Sequence, residues 1–361
     1  MVEGTKIAGV GHGEYPGAVA FDAGGRWVAP GFIDVHIQGA GGADVLDGTP
    51  DALRVMSKTL ARLGTTSFLG TTVAQPASGN AHLRLMRDHV NTDLGGATLL
   101  GIHLEGPFID PGKKGGIALN GIYASSPASL AQLYDATGDT LRMMTIAPEL
   151  PGNLEIIRRL VDRGTVAAFA HSSAKYEEVR AGFDAGISHV THIFNAMTPL
   201  HHREPGPLAA IFEHPSVTAQ IISDGHHVHP AFVRLLFRLL GKDRCVCITD
   251  GVQGLGLPDG RYRYNGRDYD AVDGVARYLD GTLIGTTMGL GEILRRFISF
   301  TGVPLHDAID TVTRVPARVL GIDASKGSIL PGKDADLVVL NEDLSVHTTF
   351  VGGRMVHETP Q

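Results

Sequence analysis

The chain of 361 residues carries 38 acidic and 31 basic side chains, a net charge of −7 with histidine neutral, and two cysteines. That length suits one large α/β barrel with a small satellite, or two ordinary domains. The sequence holds no basic run for nucleic acid, no acidic tail, no stretch approaching the roughly 20 apolar residues of a membrane span, and no signal-peptide core. Cys245 and Cys247 stand two apart on an apolar run, too close for a disulfide framework, and read as core thiols of a reducing compartment. A soluble cytoplasmic protein is expected, in which an anionic small substrate is met by local cations.

Residues 1 to 30 hold short β segments, KIAGV, GAVAF and RWVA, broken by Gly and Pro and too few to fold alone. Their partners are expected at the far end, in GSILPGKDADLVVLN, VHTTFVGG and RMVHE. One small β domain built from both termini, residues 1–30 and 321–361, is therefore predicted, flanking a barrel over 31–320. Between the ends, apolar runs alternate with helical patterns: GFIDVHI, TTSFLGTTV, TLLGIHLE, LRMMTIAPE, TVAAFAHS, HVTHIFNA, VTAQIISDG and RCVCITDG. Eight such runs are the number that closes a (β/α)8 TIM barrel. Helix punctuation lies between them. Thr49-Pro50 opens a helix that stops before Gly64, Ser126-Pro127 opens another, and Pro230 opens AFVRLLFRLL before Gly241. Residues 252 to 282 hold Gly-rich turns and alternating segments, which predict a hairpin excursion after the eighth strand that borders the active site.

The polar residues then fall into place. His36 and Gln38 end the first run, Glu105 the third, His171 and His192 the fifth and sixth, and Asp250 the eighth; His226 and His227 follow the seventh. In a (β/α)8 barrel all of these sit on the C-terminal face, where catalytic groups gather. A lone strand-end histidine is more often a hydrogen-bonded structural residue, so the convergence is the signal. Glu105, a carboxylate at the end of an apolar strand, needs a positive partner. One Glu and two His on strand ends make a ligand set for a divalent metal with positions left for water and substrate. Zinc suits such donors, with Fe2+, Mn2+ or Co2+ as substitutes. His36 is a further candidate ligand, for a second ion. Gln38 offers only an uncharged amide oxygen, so one tightly held ion per chain is expected. His103, on the same strand face as Glu105, reads as a support of the ligands or a packed core histidine.

At these residues the sequence resembles the amidohydrolase superfamily and, within it, the N-acetylglucosamine-6-phosphate deacetylases. The matching stretches are PGFIDVHIQG, HLEGPF, KKG (113–115), AHSS, THIFNAM, REPG (203–206), DGHHV, TDG (249–251), GTLIG and GKDADLVVLN, and they span nearly the whole chain. The resemblance implies a (β/α)8 barrel with a β-sandwich from both termini, and metal-dependent removal of acetate from a hexosamine 6-phosphate in amino-sugar catabolism. It implies Glu105, His171 and His192 as metal ligands and Asp250 as the catalytic carboxylate. It further implies Arg203, Asn195 and the backbone of Ala196 as the phosphate site, and His227, Leu283 and Gly116 as substrate contacts. A homodimer, with part of the phosphate site supplied by the neighbouring subunit, follows from the same likeness. Ile117 stands where the family usually carries a histidine, which removes one polar contact.

Three competing readings remain. Amidohydrolases such as dihydroorotases bridge two metals with a carboxylated Lys on the fourth strand, and LRMMTIAPE has no Lys. A deacetylase of the galacto epimer, N-acetylgalactosamine 6-phosphate, differs by the orientation of one hydroxyl. A non-catalytic scaffold is disfavoured by the intact Glu105, His171, His192 and Asp250.

Overall fold

The computed structural model describes residues 1–13 and 20–360. Its centre is an eight-stranded parallel sheet whose strands follow one another in chain order, each hydrogen-bonded to the next. They are Phe32–Ile37, Thr65–Thr72, Thr98–Glu105, Leu141–Ile146, Val166–Phe169, His189–Val190, Thr218–Ile221 and Cys245–Cys247. The first and last strands meet through the Asp250 amide on the His36 carbonyl (3.0 Å), the Gln38 amide on the Gly251 carbonyl (2.8 Å) and a parallel bridge between Ile37 and Gly251. This ring is the barrel expected from eight apolar runs. Its strands read as nearly continuous apolar segments because helices cover their outer faces.

The helix Pro50–Arg62 shows how the sequence builds the outer layer. Thr49 caps it by accepting the Ala52 amide at 3.2 Å, and Pro50 supplies the preset φ of the first turn. Leu53, Met56 and Leu60, spaced three and four apart, are buried. Burying each contributes about 1.5–3 kcal/mol. The helices Pro127–Thr137 and Pro230–Leu240 begin at the predicted Ser-Pro and Pro signals. No helix among the described residues is long and apolar enough to cross a membrane.

Both chain ends contribute to one antiparallel sheet, ordered Arg354–Glu358, Val346–Val351, Leu337–Leu340, Trp27–Pro30. A two-residue ladder, Val2–Glu3 with Lys6–Ile7, joins this region through the Ile7 amide on the Lys333 carbonyl (2.8 Å) and the Lys6–Asp334 ion pair (2.6 Å). The individual strands differ from expectation. KIAGV yields only Lys6–Ile7, and GSILPGK is loop because its Gly and Pro interrupt any ladder. Residues 17–19 of GAVAF lie outside the described residues. After the eighth barrel strand comes a four-stranded antiparallel sheet, Gly260–Tyr264, Arg267–Val272, Val275–Tyr278 and Leu283–Thr286.

Two features position the site. A helix, Arg314–Val319, closes the N-terminal end of the barrel, with Val315, Ala317 and Leu320 packed on Ile33, Val35, Leu69 and Val246. The first strand also carries a bulge. Asp34 pairs with Phe68 and Ile37 with Gly70, so three steps on one strand face two on the other. That extra residue turns His36 inward beside Val35 and keeps Gln38 on the inner face.

Candidate metal centre and active site

Three side chains converge at the C-terminal mouth. Oε1 of Glu105 lies 3.0 Å from Nε2 of His171 and 3.0 Å from Nε2 of His192, and the two Nε2 atoms are 3.0 Å apart. All three residues are buried. A spacing of 3.0 Å is that of ligands about 2.1 Å from a shared ion at roughly right angles. The donor chemistry fits as well. Nδ1 of His171 donates to the Lys113 carbonyl at 2.7 Å, which leaves the Nε2 lone pair of the neutral ring aimed at the other two ligand atoms. Two ring lone pairs and a carboxylate oxygen facing one another repel unless a proton or a cation lies among them. Burial lowers the pKa of His192 and favours the neutral ring that a metal takes. Burial would raise the Glu105 carboxyl, but His36, His171 and His192 reverse this and hold it well below the usual range.

The backbone at these positions is unusual. His171, His192 and Asp250 have φ of 49°, 27° and 49°, in the left-handed region that residues with a Cβ avoid. Each conformation costs on the order of 1 kcal/mol or more and persists only where neighbours enforce it. The His171 carbonyl accepts from the Asp110 amide (2.9 Å), that of His192 from the Asn195 amide (3.0 Å) and that of Asp250 from the Thr286 amide (2.9 Å). Glu149 braces the turn after His171, accepting from the Ser172 hydroxyl and the Ser173 amide, both at 2.8 Å.

Asp250 sits beside the triangle. Its Oδ1 accepts from Nε2 of Gln38 at 2.9 Å and lies 3.2 Å from Nε2 of His36. Burial pushes this carboxyl up, and the adjacent His36 ring brings it below its ordinary value. For His36, burial disfavours the charged ring, yet the Asp250 and Glu105 carboxylates raise its pKa to about 9. Its Nε2 is 3.7 Å from Glu105 Oε1, behind the triangle of donors. His103 is a packed core histidine: Nδ1 donates to the Val35 carbonyl at 3.1 Å and Nε2 meets the Thr145 hydroxyl at 2.9 Å.

Glu105, His171, His192, Gln38 and Asp250 form one wall of a cavity of about 330 Å3. The expected contacts Gly116, Asn195, Ala196, His227 and Leu283 all line it. His227 gives Nδ1 to Asp224 at 2.6 Å, and its other ring nitrogen has no hydrogen-bond partner among the described residues. A Cβ added at Gly116 would stand 2.8 Å from Ile284, so glycine lets the loop approach the hairpin sheet. Ile117 also lines the cavity, packed with Val73 and Ile109. Arg203 is placed differently. It is exposed on the loop before the helix Gly206–Glu213, outside the cavity lining, with its guanidinium 2.7 Å from Nε2 of His202. Sequence reasoning missed Tyr264, on the hairpin sheet and lining the cavity, and Gln220, inside the barrel. The alternation of YRYN carried the first; a mid-strand Gln carries no local signal. The sixth run is strand only over His189–Val190, and the residues from His192 onward turn across the mouth.

The amidohydrolase family model matches residues 27–356 of the chain. An N-acetylgalactosamine-6-phosphate deacetylase of Escherichia coli O157:H7 is 38% identical over 330 residues, 91% of this chain and 87% of that protein. An N-acetylglucosamine-6-phosphate deacetylase of Bacillus subtilis (strain 168) is 37% identical over 90% of this chain and 83% of its own length. The crystal structure of N-acetyl-D-glucosamine-6-phosphate deacetylase from Mycobacterium smegmatis superposes with a TM-score of 0.92 at 34% identity, covering 99% of this chain and 94% of that one.

Proposed function

The chain belongs to the amidohydrolase family, and on that premise we propose that it hydrolyses the N-acetyl amide of N-acetylglucosamine 6-phosphate, releasing acetate and glucosamine 6-phosphate. The observation that carries this reading is the Glu105–His171–His192 triangle with Asp250 beside it on the wall of one cavity.

Amide hydrolysis requires an activated water, a sink for the oxyanion charge and a proton for the departing amine. Glu105, His171 and His192 would hold a divalent ion, which would supply the first two by lowering the pKa of water from about 16 toward 7 and polarising the carbonyl. Asp250, kept ionised by its neighbours, takes the water proton as the new C–O bond forms and passes it to the amine nitrogen as the C–N bond breaks. Gln38 holds that carboxylate through Oδ1. The sugar lies against Gly116 and Leu283, with His227 lining the same cavity. Asn195 and the Ala196 backbone, which line the cavity, receive the phosphate, and Arg203, exposed outside that lining, offers it a guanidinium fork.

One ion per chain is proposed, zinc by preference. Gln38 turns its amide N–H toward both Asp250 and His36, so a second ion beside His36 lacks a strong donor. Elemental analysis of dialysed protein is expected to give one metal per chain, and Gln38→His to raise this toward two; two in the unaltered protein would overturn the single-ion reading. A homodimer is proposed, with the neighbouring subunit completing the phosphate site. Phe232, Leu235 and Leu239, on one face of the helix Pro230–Leu240, are exposed and support a contact there. The two buried free cysteines support a cytoplasmic location.

The galacto epimer is the second reading, favoured by the relative of that specificity at 38% identity. Acetate release is to be measured on both epimers and on unphosphorylated N-acetylglucosamine. Preference for the gluco 6-phosphate is expected; preference for the galacto 6-phosphate would replace the substrate, and equal turnover of the unphosphorylated sugar would remove the phosphate from the reading.

A further inference from the structure

Gln220 lies on the seventh barrel strand with its side chain fully buried. An amide there is costly unless bonded. Its Oε1 is 3.3 Å from the backbone nitrogen of His192 and 3.0 Å from Nδ1 of His36, while its Nε2 meets only the Met143 sulfur at 3.6 Å. The backbone N–H of His192 can only donate, which fixes which end of the amide is the oxygen. Nδ1 of His36 must then carry a proton to meet the same oxygen. Nε2 of the same ring then lies 3.2 Å from Asp250 Oδ1 and 3.2 Å from Nε2 of Gln38, whose amide donates to Asp250 at 2.9 Å. Contacts thus run from Gln220 through the His36 ring to Asp250, and the same oxygen steadies the strained turn at His192.

We propose that Gln220 is a positioning residue: one side-chain oxygen sets both the His36 ring and the His192 turn, and so holds Asp250 in register with the ligand triangle. Its catalytic consequence rests on the hydrolase reading above, whereas its geometry does not. From the seventh strand its side chain meets the first strand at His36 and the turn after the sixth at His192.

The test uses 15N-histidine-labelled protein, with His36→Asn to assign the His36 signals. A protonated, hydrogen-bonded Nδ1 on His36 is expected, with the downfield shift of that proton lost in Gln220→Met, which keeps length without a comparable acceptor, and retained in Gln220→Glu. Zinc affinity by chelator competition is expected to weaken about tenfold in Gln220→Met and to recover in Gln220→Glu, the scale of lost outer contacts to metal ligands. On the phosphorylated sugar, kcat should fall about tenfold in Gln220→Met with KM within about twofold, the split expected of lost positioning. A bare Nδ1 on His36 in the unaltered protein, or unchanged zinc affinity in folded Gln220→Met, overturns the proposal. If Gln220→Met does not fold, the spectrum of the unaltered protein decides; if the substrate reading fails, the spectral and zinc measurements still do.

Discussion

At the N-terminal end of the barrel interior, Ile33, Val35, Leu69 and Val246 close on Val315 and Ala317 in one apolar cluster. At the C-terminal end the same strands present Glu105, Asp250 and the rings of His36 and His192, each bonded to another. The first end gains its stability without direction, in proportion to apolar area and to the volume left unfilled. The second depends on particular partners: an oxygen removed there strands a buried donor, and a ring removed leaves a buried carboxylate alone. One inner surface therefore combines a tolerant plug with an intolerant mouth. The proposed chemistry sits where the strands end because only there do the loops add the strained turns and carbonyls that orient the ligands.

The contrast can be broken most severely at a ligand. His192→Ala is expected to lose both bound metal and acetate release, read by elemental analysis beside a turnover assay; full metal occupancy in that variant would remove His192 from the ligand set. Asp250→Asn comes next. It should retain its metal while kcat falls by roughly 10² or more, the scale of a positioned acid or base. Turnover close to that of the unaltered protein would dismiss Asp250 from the proton path.

Arg203→Ala tests a residue outside the buried mouth altogether. KM for the phosphorylated sugar should rise by an amount equal to a lost charge-assisted bond, about 1.5–3 kcal/mol, with the unphosphorylated sugar hardly affected. An equal loss on both substrates would contradict a phosphate role. Ile33→Ala, at the apolar end, should leave kcat per folded molecule within about twofold while unfolding in urea reports a loss of about 2–5 kcal/mol. A large kcat defect there, with stability intact, would show that the two ends are not separable.

Much of this was legible before folding. Apolar runs spaced by helix caps marked the barrel, and the polar residue at the end of each run marked the mouth, because strand length and side-chain alternation are local properties. His36 was seen as a strand-end residue, but the bulge between Asp34 and Ile37 that turns it inward is set by pairing with Phe68 and Gly70, more than 30 residues away. Gln220 looked like one polar residue inside a strand, and its two partners come from strands that sequence places far apart. Arg203 was legible as a cation near the histidines, yet its exposure and its distance from the cavity lining depend on how the loop leaves Met197.

Hydrophobic period and Gly-Pro punctuation act over a few residues, so the eight strands, their order and the residue types that end them follow from local pattern. Which atoms meet is set by long-range pairing. Closing the barrel brings His36 to Asp250 and Glu105 to two histidines 66 and 87 positions later. Those contacts depend on strand register and on left-handed turns at His171, His192 and Asp250, conformations that no local preference selects and that the assembled hydrogen bonds impose.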